Sequence, residues 1–159
     1  MAYKMDAALS EGVLAAIKAA LDDGFMHLFA GPVPADPADA LDLDDTHTFL
    51  GTVSVDDDGT TGLTFAAPSG ATMTKAEDED WLFTTAFDGA DEGEATLDAT
   101  FFRYCTSGDD GRDEGTAPRL QGTIGTTGSG ADMERSTVAL ADATQYPVSG
   151  FIVRAGSVT

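Results

Sequence analysis

The stretch Leu97–Met133, LDATFFRYCTSGDDGRDEGTAPRLQGTIGTTGSGADM, sets the fold class. Leu97, Ala99, Phe101 and Cys105 share one parity, and Thr100, Phe102 and Tyr104 share the other. A strand written this way is apolar or amphipathic on both faces, which suits a position inside a two-layer β structure. The acidic turn GDDGRDEG separates it from a second strand over Pro118–Ile124. Gly125, Gly128 and Gly130 follow, at a spacing that lets the backbone take positive φ or pass close to a neighbour. No nucleophile stands beside a base here, and no phosphate-loop lysine precedes a helix. The stretch speaks for architecture.

Outward from it, turn residues punctuate β-prone runs about every ten residues. Phe25–Ala30 is a short apolar run closed by Gly31-Pro32, and residues 47–55, HTFLGTVSV, alternate as a strand. Asp56-Asp57-Asp58-Gly59 reads as a plain turn, because the ligand spacing of a calcium loop is missing. Residues 62–67 are expected to return as a strand, and 81–87 form another, stopped by Asp88-Gly89. Further strands are expected over 136–140 and 148–154. Before all of these, Val13, Leu14, Ile17 and Leu21 recur at helical spacing behind Ser10, which fits an N-cap, and Gly24 fits the C′ position. The fold class is therefore mainly β: an antiparallel β-sandwich or barrel-like domain with one N-terminal amphipathic helix. At 159 residues the chain suits one compact domain, with a helical segment over 1–24 and a β-domain over 25–159.

Charge is the outlying property. There are 28 Asp and Glu against 8 Lys and Arg, a formal net charge of −20. Such a surface repels phosphate backbones and anionic lipid, so neither nucleic acid nor membrane is expected as a partner. Solubility, including at high salt where repulsion is screened, is the plain reading of the acidity. The segment PVPADPADALDLDD, with prolines at 32, 34 and 37, reads as an extended, solvated loop. No apolar run approaches the roughly 20 residues needed to span a bilayer, and the N-terminus lacks the apolar core of a signal peptide.

Chemistry is sparse. Cys105 has no second cysteine to pair with, and with His27 and His47 it makes no recognisable nucleophile–base signature. His27 among apolar neighbours reads as a strand residue with its ring hydrogen-bonded. Glu77–Asp80 reads as a solvated corner, since paired-carboxylate catalysis needs groups opposed across a cleft. Asp109, Asp110, Asp113 and Glu114 are the one set of loop carboxylates that would chelate a cation if the turn curled, and loop oxygens alone do not make a site. No cofactor is expected, and an enzyme is not.

The order of motifs resembles a family of small tailed-phage virion structural proteins. The resemblance runs nearly end to end: MAYKMDAALSEGVLAAIKAAL, DDGFMHLFAGPVPADPADAL, ATFFRYCTSGDDG, LQGTIGTTGSGADM and the closing hairpin STVALADATQYPVSGFIV. The Phe-Arg pair on a strand and the series Gly122, Gly125, Gly128, Gly130 before Asp132 are its most specific parts. The resemblance implies a β-rich virion component, a capsid decoration or cement protein present in many copies, and it offers no catalytic residues. Its partners would be the major capsid protein or other virion proteins, its location the virion, and its assembly a homo-oligomer such as a trimer. This chain departs from the family in its acidity and in its longer turn over Asp109–Thr116. The helix face Val13, Leu14, Ile17 and Leu21 is the expected partner contact. The alternatives are a tail or baseplate component, and a β-sandwich binding module that holds calcium in its acidic loops.

Overall fold

A computed structural model describes residues 4–155. One helix, α1 (Ala7–Leu21), precedes twelve strands: β1 (Phe25–Ala30), β2 (Thr48–Val55), β3 (Thr72–Thr74), β4 (Trp81–Thr84), β5 (Asp88–Gly89), β6 (Thr96–Asp98), β7 (Phe101–Cys105), β8 (Arg119–Thr126), β9 (Met133–Arg135), β10 (Ala139–Ala141), β11 (Gln145–Pro147) and β12 (Ile152–Arg154). The main sheet runs β11-β4-β2-β1-β7-β8-β9, with β5 beside β2, and it curls into a half barrel. Two short ribbons, β10-β6 and β12-β3, complete the structure. The chain is mainly β with one N-terminal helix, as the patterning predicts.

Strand β1 is the middle of the main-sheet path, between β2 and β7, and the alternation along β1, β7 and β8 divides the molecule into two layers. Met26, Leu28 and Ala30 of β1, Phe102 and Tyr104 of β7 and Ile124 of β8 point into the main core. That core also holds Trp81, Phe65, Phe151 and Leu140, with Phe65 stacked on Tyr104 at 5.1 Å between ring centroids. The opposite face carries Phe29 and Phe101, stacked at 5.1 Å and covered by Leu41, Leu43 and Phe49. A shift in register between Leu28 and Phe29 lets β2 serve both layers. Phe49 and Thr52, three positions apart, pair with Phe29 and His27 on the outer face, while Leu50 drops into the main core.

Helix α1 begins earlier than its sequence suggests. Asp6 is the N-cap, its side chain accepting from the Leu9 N–H at 2.8 Å, and Ser10 is buried within the helix. At the far end Asp23 takes the left-handed conformation (φ 62°) that Gly24 was expected to supply. Gly24 is needed for a different reason: a Cβ there would lie 2.2 Å from the Cys105 carbonyl oxygen. The helix is moored to residues 63–70. Asp22 accepts from the Phe65 N–H, Glu11 accepts from the Gly70 N–H, and Lys18 donates to the Phe65 carbonyl.

The helix stripe expected to meet a partner is largely turned inward. Leu14 and Leu21 are fully or almost fully buried in the main core, and Ile17 packs against it half-buried. Val13 alone of the four remains outside, 39% exposed, next to Leu9 at 56%. The reason is geometric: an apolar stripe that the chain's own sheet can cover removes more surface from water by folding back than by waiting for a second molecule.

Other boundaries move as well. The strand expected across Leu97–Tyr104 is broken at Ala99-Thr100, where the Thr100 N–H and hydroxyl are both drawn to the carbonyls of Phe29 and Gly31. Residues 62–67 make only isolated bridges, Gly24 to Leu63 and Phe65 to Lys75, rather than a strand beside β2. The strands expected over 136–140 and 148–154 are shorter and do not form a hairpin with each other: β10 pairs with β6 and β12 with β3, while β11 between them pairs with β4.

Candidate functional site

Two places concentrate polar side chains, and they differ in what those side chains do. The first lies on the outer face of the sheet. Thr52, His27, Arg103 and Gln121 stand in register across β2, β1, β7 and β8, a polar row between two apolar ones. His27 is 6% exposed; its Nε2–H donates to the Asp109 carbonyl at 3.1 Å, and its Nδ1 accepts from the Thr52 hydroxyl at 2.9 Å. Burial pushes its pKa below the ordinary histidine value, partly offset by Asp109 and Asp110. Arg103 is fully buried without a carboxylate partner; it donates to Gln121 Oε1 and to the carbonyls of Asp39, Gly111 and Asp36.

These donors hold down the proline-rich segment. The Pro32 carbonyl accepts from His47 Nε2, Pro34 from Gln121, Asp36 and Asp39 from Arg103, and Pro37 from Arg119. The segment expected to be a solvated loop is thus a strap, and Leu41 beneath it closes the outer core. Prolines suit this arrangement, because they fix an extended backbone whose carbonyls all remain free to accept.

The acidic turn is tied into the same layer. Both oxygens of Asp109 are taken by Arg119, at 2.7 Å each, which holds the carboxyl below its ordinary pKa. Asp110 lies 3.9 Å from Arg112, and the Asp113 carbonyl accepts from Arg119. Asp109, Asp110, Asp113 and Glu114 therefore do not converge as a cation cage, because a guanidinium occupies the position a cation would take. Among the described residues no three His, Cys, Asp or Glu side chains are grouped so as to hold a metal ion. Cys105 lies under this turn with its thiol pushed up to about 12, first by burial and then by Asp109. It stays protonated at neutral pH and is a poor nucleophile there.

Other acidic clusters are also internal anchors. Glu79 of the Glu77–Asp80 corner accepts from the Thr64 N–H and hydroxyl and from the Trp81 indole N–H. In the turn at Asp56–Gly59, Asp57 accepts from Thr84 and Gln145, and Asp58 from Thr60 and Thr61. Asp56, Asp57 and Gly59 have positive φ, as a tight turn requires.

The second place is a groove between the glycine-rich loop and the last described segment. Strands β8 and β9 are parallel, Ile124 opposite Met133, although only residues 127–132 join them. Parallel neighbours ordinarily need a crossover of a dozen residues or more. This loop reverses twice in its short span, with Gly128 (φ 84°) and Gly130 (φ 79°) in a conformation other residues avoid. Glu134 accepts from both glycine N–H groups, and Asp132 accepts from the Thr123 N–H and hydroxyl. Facing the loop are Gly150–Arg154. A hollow of about 300 Å³ between them is floored by Phe102 and Phe151, and a neighbouring hollow of about 360 Å³ is lined by Arg135, Ser136, Thr137 and Ser149. Ile152, 41% exposed, and Arg154 stand at the rim. The glycines are visible in the sequence but the groove is not, because its second wall, Gly150–Arg154, lies 20 or more positions beyond them.

Comparison of the chain with family models, with curated proteins and with solved structures found no match.

Proposed function

We propose that this protein is a virion structural component, a decoration or cement protein that binds the outside of a tailed-virus head and stabilises it. The sequence resemblance suggests the setting. The observation that carries the reading is how the polar side chains are used. His27, His47, Arg103, Arg119, Asp109 and Glu79 are each engaged in fastening a loop to the sheet. A β domain covered on both faces, in which these six groups are spent on fastening loops, suits stoichiometric binding better than turnover.

Charge use supports the same reading. Of the 8 cations, Lys18, Lys75, Arg103, Arg112, Arg119 and Arg135 bond to groups of this chain. Most of the 28 carboxylates are left to face solvent against few outward cations, an exterior that stays clear of packaged nucleic acid. Binding would be additive: each Å² of apolar surface covered at a junction contributes about 25 cal/mol, and many copies multiply a modest contact into a stiffer shell. The helix offers Leu9 and Val13 for such contact in place of the buried Leu14 and Leu21 and the half-buried Ile17.

The test is location. Purified protein mixed with separated heads and tails of the virus that encodes it should sediment with expanded heads at a fixed ratio. Sedimentation with tails alone would support the tail or baseplate alternative, and sedimentation with neither would overturn the virion reading.

A further inference from the structure

Arg135 is held differently from the other arginines that fasten this fold. Arg119 grips Asp109, Arg112 grips Asp88, and Arg103 donates to four groups. Arg135 has one acceptor, the Pro147 carbonyl, reached by Nη1 at 3.2 Å, and its Nε is buried with no hydrogen-bond partner; the Arg112 Nε is also unbonded, but it has the Asp110 carboxylate at 3.9 Å. No carboxylate of the described residues pairs with it. The adjacent Glu134 is turned away to the N–H groups of Gly128 and Gly130. The guanidinium lies over the rings of Phe83 and Tyr146, at 5.5 and 5.7 Å, so aromatic faces cover its plane. Stacking of this kind leaves the in-plane N–H edge for an acceptor.

Arg135 lines the hollow of about 360 Å³ together with Glu134, Ser136, Thr137 and Ser149. A cation with unused donors, hydroxyls around an open volume, and a single lining carboxylate, Glu134, already engaged by the Gly128 and Gly130 N–H groups make the chemistry of an anion site. We propose that Arg135 and the hydroxyls of this hollow bind a single small oxyanion group, a carboxylate or sulfate-like anion. The bound oxygens accept from the guanidinium edge, and the hydroxyls complete the shell. In a chain of net charge −20 the long-range field opposes any anion, so the site selects by hydrogen-bond geometry and works best where salt screens that field. The inference does not depend on a virion location.

The experiment is a titration of the intact, isotopically labelled protein at constant ionic strength. Chloride is replaced first by acetate and then by sulfate while the arginine Nε–H cross-peaks are followed. The Arg135 peak should move and saturate with acetate or sulfate, while those of Arg103 and Arg119 stay in place. A peak that does not move, moves linearly without saturating, or moves together with Arg103 and Arg119 would overturn the site. An Arg135→Gln variant provides a second readout: the sulfate-over-chloride gain in melting temperature should shrink relative to the parent protein. Should that variant not fold, the titration of the parent protein decides alone.

Discussion

Arg103 is the side chain on which the outer layer hangs. It is fully buried, and its bonds reach Gln121, the Asp36 and Asp39 carbonyls of the strap and the Gly111 carbonyl of the acidic turn. Removing it leaves buried acceptors without donors, so Arg103→Ala should cost at least about 3 kcal/mol. Arg103→Lys should recover little, because one ammonium cannot reproduce a planar fork of donors. Urea unfolding of both variants checks this. His27, in the same row, gives a pH dependence. Its folded pKa lies below the ordinary value of 6.5, so the folded state takes up its proton less readily than the unfolded chain. The associated stability is full above that value and is lost as pH falls through the folded pKa. Asp109, also lowered, loses its contribution only at more acid pH, below the ordinary 3.8. The urea midpoint should therefore fall between about pH 7 and about pH 5, and His27→Gln should flatten that part of the profile.

Elements differ in how plainly the sequence announces them. Strands β1, β2 and β8 are legible because six to eight residues of β-prone composition end at glycine or acidic turns. The helix is legible as a helix, but its partner is not: the stripe Leu14, Ile17, Leu21 looks the same whether it meets another molecule or the chain's own sheet. Truncation separates the two. Leu14→Ala should destabilise the isolated chain by about 2–5 kcal/mol, whereas Val13→Ala should stay within about 1 kcal/mol. Thermal melting of the two variants is the measurement, and equal effects would contradict the inward orientation. The strap over 32–45 was not legible, since prolines and aspartates signal solvation and, His47 apart, the donors that capture it lie 64 to 87 positions away. The break at Thr100 was hidden for the same reason: its hydroxyl is drawn to carbonyls 69 and 71 positions distant. The groove required both: the glycines were visible, while the opposing Gly150–Arg154 wall and the unsatisfied Arg135 appear only once β12 pairs with β3.

At the scale of the whole molecule, charge and fold pull against each other. With 28 acidic groups against 8 basic ones, most of the basic ones bound internally, the surface repels itself and compactness is opposed at low ionic strength. Raising potassium chloride from about 0.1 M to about 1 M shortens the screening length from about 10 Å to about 3 Å, and the melting temperature should rise throughout. A flat or falling profile would show that the acidic side chains are already neutralised within the fold. In the head-binding role proposed above, salt would screen these charges and the exposed Leu9 and Val13 would be the apolar surface to cover. The proposal of a head-binding cement role is met most directly by calorimetry of expanded empty shells with increasing amounts of the protein. A shell melting temperature that climbs and then levels off at a fixed ratio of protein to capsid subunit is the predicted result. A shell that melts at the same temperature at every ratio would contradict it.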